Sequence, residues 1–167
     1  IKEAQGEYIA MLDSDDEYLP HHLSRRVEKI KEWNCDGIFG SAYIDNGVEI
    51  VTGLSRPVRK NENFTEYLFS DGFAPTPSHF YRKHAAKQIV WDEQILRHQD
   101  FDFSIRFADK FHFKVDHYPT IKIHWHPNTF QLLTEAQFRS QQAVFENYKA
   151  RLTPRTQAQY YLRMLPF

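Results

Sequence analysis

The stretch that most constrains this chain is Tyr8-Ile9-Ala10-Met11-Leu12-Asp13-Ser14-Asp15-Asp16, an apolar run that stops abruptly in acid. An apolar run without alternation, preceded by Gly6, predicts a short strand buried on both faces of a parallel sheet, and hence an α/β body. The carboxylates of Asp13, Asp15 and Asp16 repel one another unless something positive sits among them, and a divalent cation is the economical partner. Side chains two residues apart in an extended segment point the same way, so Asp13 and Asp15 can face one ligand while Asp16 begins the turn. In open α/β sheets ligands bind beyond the carboxyl ends of strands, where these acids fall. Hard oxygen donors select Mg²⁺ or Mn²⁺, and a site with few protein ligands leaves positions for phosphate oxygens. The plainer reading is a solvated acidic turn in which Asp13 or Asp15 caps the next helix. A calcium loop fails, because Tyr18 stands where glycine is needed and Ser24 where the bidentate glutamate belongs.

The remaining pattern extends the α/β order. Leu23, Val27 and Ile30 fall at helical spacing after Pro20 and predict an amphipathic helix ending near Asn34 and Gly37. Residues 37–44 read as one buried strand, followed by an Asp45-Asn46-Gly47 turn and a second strand through Val51. Residues 55–62 read as a loop, 64–69 as a short helix, 78–81 as a strand, 111–115 and 120–125 as further strands, with a helix from Asp100. The body spans 1–130, and a helical tail covers 131–167. Its first helix carries Phe138, Phe145, Tyr148 and Leu152 on one stripe, and its second opens with Thr153 as cap and Pro154 at the first helical position.

Composition narrows the function classes. A chain of 167 residues that is 41% hydrophobic and 16% aromatic can build a core without disulfides, which excludes intrinsic disorder. The 21 Lys plus Arg are cancelled by 22 Asp plus Glu, so the basic footprint of a nucleic-acid binder is missing. The single Cys35 fits a reducing, cytoplasmic compartment, and no apolar run reaches the length of a membrane span. In the tail, Lys149, Arg151, Arg155 and Arg163 alternate with Tyr160, Tyr161, Leu162, Leu165 and Phe167. That composition suits peripheral contact with the inner face of an anionic membrane, and equally packing against an N-terminal half of the domain or a second subunit.

Four ordered motifs resemble the family 2 glycosyltransferases of GT-A fold. Gln5 to Pro20 is similar to the family's A-x-G-E-Y-I-A-x-L-D-x-D-D segment, and Ser78-His79-Phe80-Tyr81-Arg82-Lys83 to its small-polar then aromatic-basic strand. Val90-Trp91-Asp92-Glu93 is similar to its F-D-E, and Arg97 to Arg106 resembles the E/Q-D-x-D-L/F-x-x-R helix start, with Gln99 where many members carry Glu. The resemblance covers about Glu3 to Thr129 and implies a nucleotide-diphospho-sugar transferase fold, Rossmann-like, with a mixed sheet flanked by helices. It implies metal-assisted, inverting transfer of a sugar from a nucleotide-diphosphate donor to a saccharide or lipid-linked acceptor, in the manner of bacterial surface polysaccharide or lipopolysaccharide synthesis. Asp100 would be the general base, and Asp13, Asp15 and His126 would hold Mg²⁺ or Mn²⁺ on the donor diphosphate. Ser78, Trp91 and Asp102 are candidate acceptor contacts; Trp125, Phe73 and Phe80 could also stack on sugar rings, although aromatics are commonly core. Taken alone, Asp100 and Asp102 could be acids favouring a helix N-terminus, and His124 with His126 a structural pair. The resemblance starts part-way through the family's domain. It therefore implies that the N-terminal nucleotide-binding part is missing and that residues 1–167 alone transfer little sugar. Two other readings remain: a haloacid-dehalogenase-like phosphohydrolase with Asp13 as nucleophile and Asp15 as acid/base, and a non-catalytic carbohydrate-binding fragment of the same fold.

Overall fold

Two strands with strict alternation organise the interior. In β3 (Gly37–Gly40) and β6 (Phe80–Arg82), Ile38 and Phe80 point to one face while Phe39 and Tyr81 point to the other, and all four are buried. A sheet with apolar residues on both faces must be covered on both. In this computed structural model, which describes residues 1–53, 55–70, 72, 74–125 and 134–164, helix α1 (His22–Glu32) covers the first face. There Ile30, Cys35, Ile38 and Phe80 form a small core. Helices α2 (Phe64–Ser70), α4 (Gln99–Lys110), α5 (Glu135–Tyr148) and α6 (Pro154–Met164) supply the larger core on the other face, which is dominated by aromatics such as Phe69, Phe103, Phe107 and Phe145. A short α3 (Lys83–Ala86) follows β6 directly.

Among the described residues, eight strands form two four-stranded sheets. The first runs β1 (Tyr8–Ala10), β6, β3, β7 (Phe113–Asp116); the second runs β2 (Glu17–Tyr18), β8 (Ile121–His124), β4 (Ala42–Asp45), β5 (Ile50–Gly53). Strands β3 and β7 are parallel neighbours in the first sheet, and their continuations β4 and β8 are parallel neighbours in the second. The chain thus crosses from one sheet to the other along two adjacent paths, and a third crossing joins β1 to β2. This mixed α/β architecture is the expected class.

Several local expectations change. Residues 37–44 do not form one strand: the run breaks at Ser41, whose N–H donates to the Asp116 carbonyl. Strand β1 is not a parallel strand buried on both faces. It pairs antiparallel with β6, Ile9 opposite Tyr81, and Ala10 is exposed. The Asp45-Asn46-Gly47 turn forms as expected, with Gly47 at φ +81, a conformation that suits glycine. The tail helices pack into the main core through Phe145, Leu152, Tyr160 and Met164, and Phe138 and Tyr148 flank it. Thr153 caps α6 as predicted, its hydroxyl accepting the Thr156 N–H at 3.3 Å.

The buried face of α1 is His22, Arg26 and Ile30, whereas Leu23 is 51% exposed. Ile30 and the half-buried Val27 keep the predicted stripe, and Leu23 is displaced from it because Arg26 occupies the inner position. Arg26 is fully buried, and its partner is Asp116 at the end of β7, with Nη1 to Oδ2 3.1 Å. Arg25 clamps the same carboxylate with two bonds of 2.8 Å. Gly40 leaves the room: a Cβ there would lie 2.0 Å from Arg26 Nη2.

Candidate active site

The acidic segment leaves β1 as a pinned loop. The Met11 N–H donates to the His79 carbonyl, and the Tyr18 hydroxyl donates back to the Met11 carbonyl. Within the loop the Asp16 N–H donates to the Asp13 carbonyl at 3.2 Å, closing a turn. Asp16 Oδ1 accepts the His124 N–H at 3.0 Å, which ties the turn to β8. The segment is therefore turned and not extended, so the rule that residues two apart share a face does not govern it. Asp13 and Asp16 line an open cleft of about 560 Å³, and Asp15 is exposed beside them.

Asp100 lines the same cleft from the first turn of α4. The floor and walls come from Thr76 and its flanking prolines, from Ile44 and Ile123 of the second sheet, and from Trp125 and Gln137. Burial pushes the Asp100 carboxyl up to about 6, while backbone N–H groups and the Arg97 charge pull the other way and the Asp13 charge adds to the rise. Asp13 is raised by burial and then by the charge of Asp15. Asp16 is raised by burial, opposed by the His124 N–H, and raised again by Asp15 and Asp13. Burial is the largest cause of each rise, and the neighbouring carboxylates add to it.

That repulsion is the test of whether a cation fits. Asp13 and Asp15 form no ion pair among the described residues, and hard carboxylate oxygens suit Mg²⁺ or Mn²⁺. No group of three His, Cys, Asp or Glu side chains converges among the described residues. The donor set therefore fits an ion that completes its shell with ligand oxygens, and not a cation held by protein alone. His126, expected as a third ligand, lies outside the described residues, as does Phe73. His124 hydrogen-bonds Glu17 through Nε2 at 2.5 Å.

The three candidate acceptor contacts are not brought to the cleft. Asp102 is buried and spent on structure, accepting Arg106 Nε at 2.8 Å on Oδ2 and the Tyr148 hydroxyl at 2.7 Å on Oδ1. Trp91 stacks on Phe103 with ring centres 4.5 Å apart, in a separate groove with Ile1, Lys2 and Lys87. Ser78 is fully buried behind Thr76 and Pro77, and Phe80 is packed under α1. Of the aromatics, Trp125 does line the cleft, 37% exposed. Two contributors had no signal in the chain's periodicity: Asp16, turned inward by its bond to β8, and Gln137, delivered by the tail.

Comparison with known proteins bears on the family and the fold. A family model described as "Glycosyl transferase family 2" matches residues 1–122. The amylovoran biosynthesis glycosyltransferase AmsB of Erwinia amylovora is 34% identical over 118 residues, covering 66% of this chain and 39% of that protein. An uncharacterized glycosyltransferase of Methanocaldococcus jannaschii is 31% identical over 105 residues, covering 62% of this chain and 36% of that one. The chain thus spans well under half the length of these relatives. Among solved structures, S. aureus TarS 1-349 in complex with UDP-GlcNAc superposes with a TM-score of 0.63 at 17% identity, covering 86% of this chain and 43% of that one. That likeness establishes the fold.

Proposed function

Since this chain belongs to glycosyl transferase family 2, we propose that it carries the catalytic half of an inverting glycosyltransferase that moves a sugar from a nucleotide-diphosphate donor to a saccharide or lipid-linked acceptor. The observation that carries the reading is the shared cleft: a desolvated Asp100 on one wall and the Asp13–Asp16 turn on the other. An inverting transfer needs one carboxylate within reach of the attacking hydroxyl, to take its proton as the new bond forms at the anomeric carbon. Asp100, pushed up to about 6 by burial, is still ionised at neutral pH and is more basic than an exposed aspartate. Asp13 and Asp15, with His126, are the residues that would hold Mg²⁺ or Mn²⁺, and Asp16 stands beside them. A bound cation would offset charge developing on the leaving diphosphate. The residues of this chain do the rest: the turn holds the carboxylates toward the donor, and α4 holds the base toward the acceptor.

A uridine nucleotide is the favoured donor class, because the structural neighbour is described in complex with UDP-GlcNAc. A polysaccharide acceptor is favoured by the relative named for amylovoran biosynthesis. No helix among the described residues is long and apolar enough to cross a membrane, and contact with a membrane surface remains the tail's proposed option. Titration calorimetry with UDP and Mn²⁺ tests the metal assignment. In the full-length protein Asp15→Ala should abolish the cation-dependent part of UDP binding, and unchanged affinity would remove Asp15 from the site.

A further inference from the structure

His98 lines the cleft next to Asp100 but has no role in the reading above. It caps α4 with φ +63, in the left-handed region that non-glycine residues seldom occupy and that often marks functional positions. Its ring stacks on Phe101 at 4.5 Å. The ring nitrogens are not equivalent. Nδ1 is 2.9 Å from the hydroxyl of Tyr160 on α6, and that hydroxyl oxygen is 3.3 Å from Nε2 of Gln141 on α5.

The donor inventory fixes one of these bonds and bears on the other. An amide NH₂ can only donate, and a phenol has a single proton. With Gln141 donating to the Tyr160 oxygen, the arrangement that uses the single Tyr160 proton has it donated to a lone pair on His98 Nδ1. In that arrangement the ring proton is on Nε2, which takes no partner among the described residues. The loop is tied a second time, since Ser140 Oγ on α5 accepts the Leu96 N–H at 2.9 Å and the Arg97 N–H at 3.2 Å.

We propose that the Gln141–Tyr160–His98 relay fixes His98 as the Nε2–H tautomer, and that this N–H donates to a hydroxyl oxygen of the acceptor beside the one that Asp100 deprotonates. The inference rests on the glycosyltransferase reading of the cleft. A polyhydroxylated acceptor offers several similar nucleophiles, and a second fixed contact decides which one lies against the base. A neutral donor does this without neutralising the Asp100 carboxylate, whereas an imidazolium would pair with it. Burial, and then the Arg97 charge, lower His98 to about 4, so the ring is neutral wherever Asp100 is ionised. The relay also gives the tail a function: Gln141 and Tyr160 lie beyond the matched residues 1–122, yet they set the state of a side chain in the cleft.

Two readouts test this. Long-range ¹H–¹⁵N spectra of the histidine-labelled protein at pH 7, with His98 assigned by His98→Gln, should show a proton on Nε2 and a bare Nδ1. Tyr160→Phe keeps the ring stacked on Phe145 at 4.6 Å and removes only the hydroxyl, and it should convert His98 to a mixture of tautomers. A wild-type His98 protonated on Nδ1 overturns the proposal. In steady-state assays of the full-length protein His98→Phe should lower acceptor kcat/KM by roughly tenfold to a hundredfold with donor KM unchanged, and His98→Gln, which can still donate, should recover most of the loss. If Asp100→Asn abolishes turnover while His98→Phe and Tyr160→Phe leave acceptor kcat/KM within twofold, this inference fails alone. If none of the three variants changes turnover, the reading of the cleft fails and the inference falls with it.

Discussion

Two aspartates of this chain have been shifted in opposite directions, and the contrast separates what holds the fold from what serves the ligand. Asp116, at the end of β7, is buried, which by itself would raise it. Arg25 and Arg26 outweigh that and hold it below the ordinary carboxylate range. Asp100, at the start of α4, is desolvated; backbone N–H groups and the Arg97 charge oppose the rise without cancelling it, and it climbs to about 6. One region closes its charges on each other. The other gathers Asp13, Asp15, Asp16 and Asp100 and leaves their repulsion to be relieved by something that binds.

The linkage signs differ accordingly. A depressed Asp116 contributes stability that is present above the ordinary 3.8 and is lost as pH falls through its lower folded value. A raised Asp100 costs stability, and the cost grows as pH rises from about 4 to about 6 and is fully present above that.

Replacing each aspartate by asparagine sharpens the comparison. Asp100→Asn should lower turnover by about two to four orders of magnitude while leaving the fold intact, because the amide keeps the shape and cannot take a proton. A loss under tenfold would shift the role of base to another residue. Asp116→Asn should cost roughly 3–5 kcal/mol in urea denaturation, since it strands the buried Arg26 beside a neutral partner. A loss below 1 kcal/mol would mean that the buried pair contributes little. The same measurement on Asp100→Asn at pH 7 should move the other way, with a gain of up to about 3 kcal/mol that vanishes near pH 4. A variant less stable than wild type at pH 7 would break the contrast. Gly40→Ala should cost about 1–3 kcal/mol by pushing against the Arg26 guanidinium, without changing donor affinity.

Local chemistry was readable from the chain, and long-range partners were not. The carboxylates after Leu12 and the helix start at Asp100 could be named because motif, cap and hairpin signals act over a few residues. The antiparallel pairing of β1 depends on β6, and the inward stripe of α1 depends on Asp116, both supplied from far along the chain. Periodicity assigns Arg26 to solvent, and only a partner arriving from β7 makes its burial tolerable. Asp102 shares the motif of Asp100, yet Arg106 and Tyr148 claim it for structure, a distinction that spacing alone does not carry. The tail looked separable because its basic and aromatic residues are surface-like in composition, whereas Tyr160 and Phe145 stack on each other inside the main core.

The central claim, that a desolvated Asp100 is the base of the cleft, is tested most directly by the pH dependence of kcat/KM, which reports the essential base of the free enzyme. The account predicts a rise of about tenfold per pH unit that levels off near 6, the value to which burial pushes Asp100. A profile that levels off near 4, as for an exposed carboxylate, or one with no acidic limb at all, would contradict it.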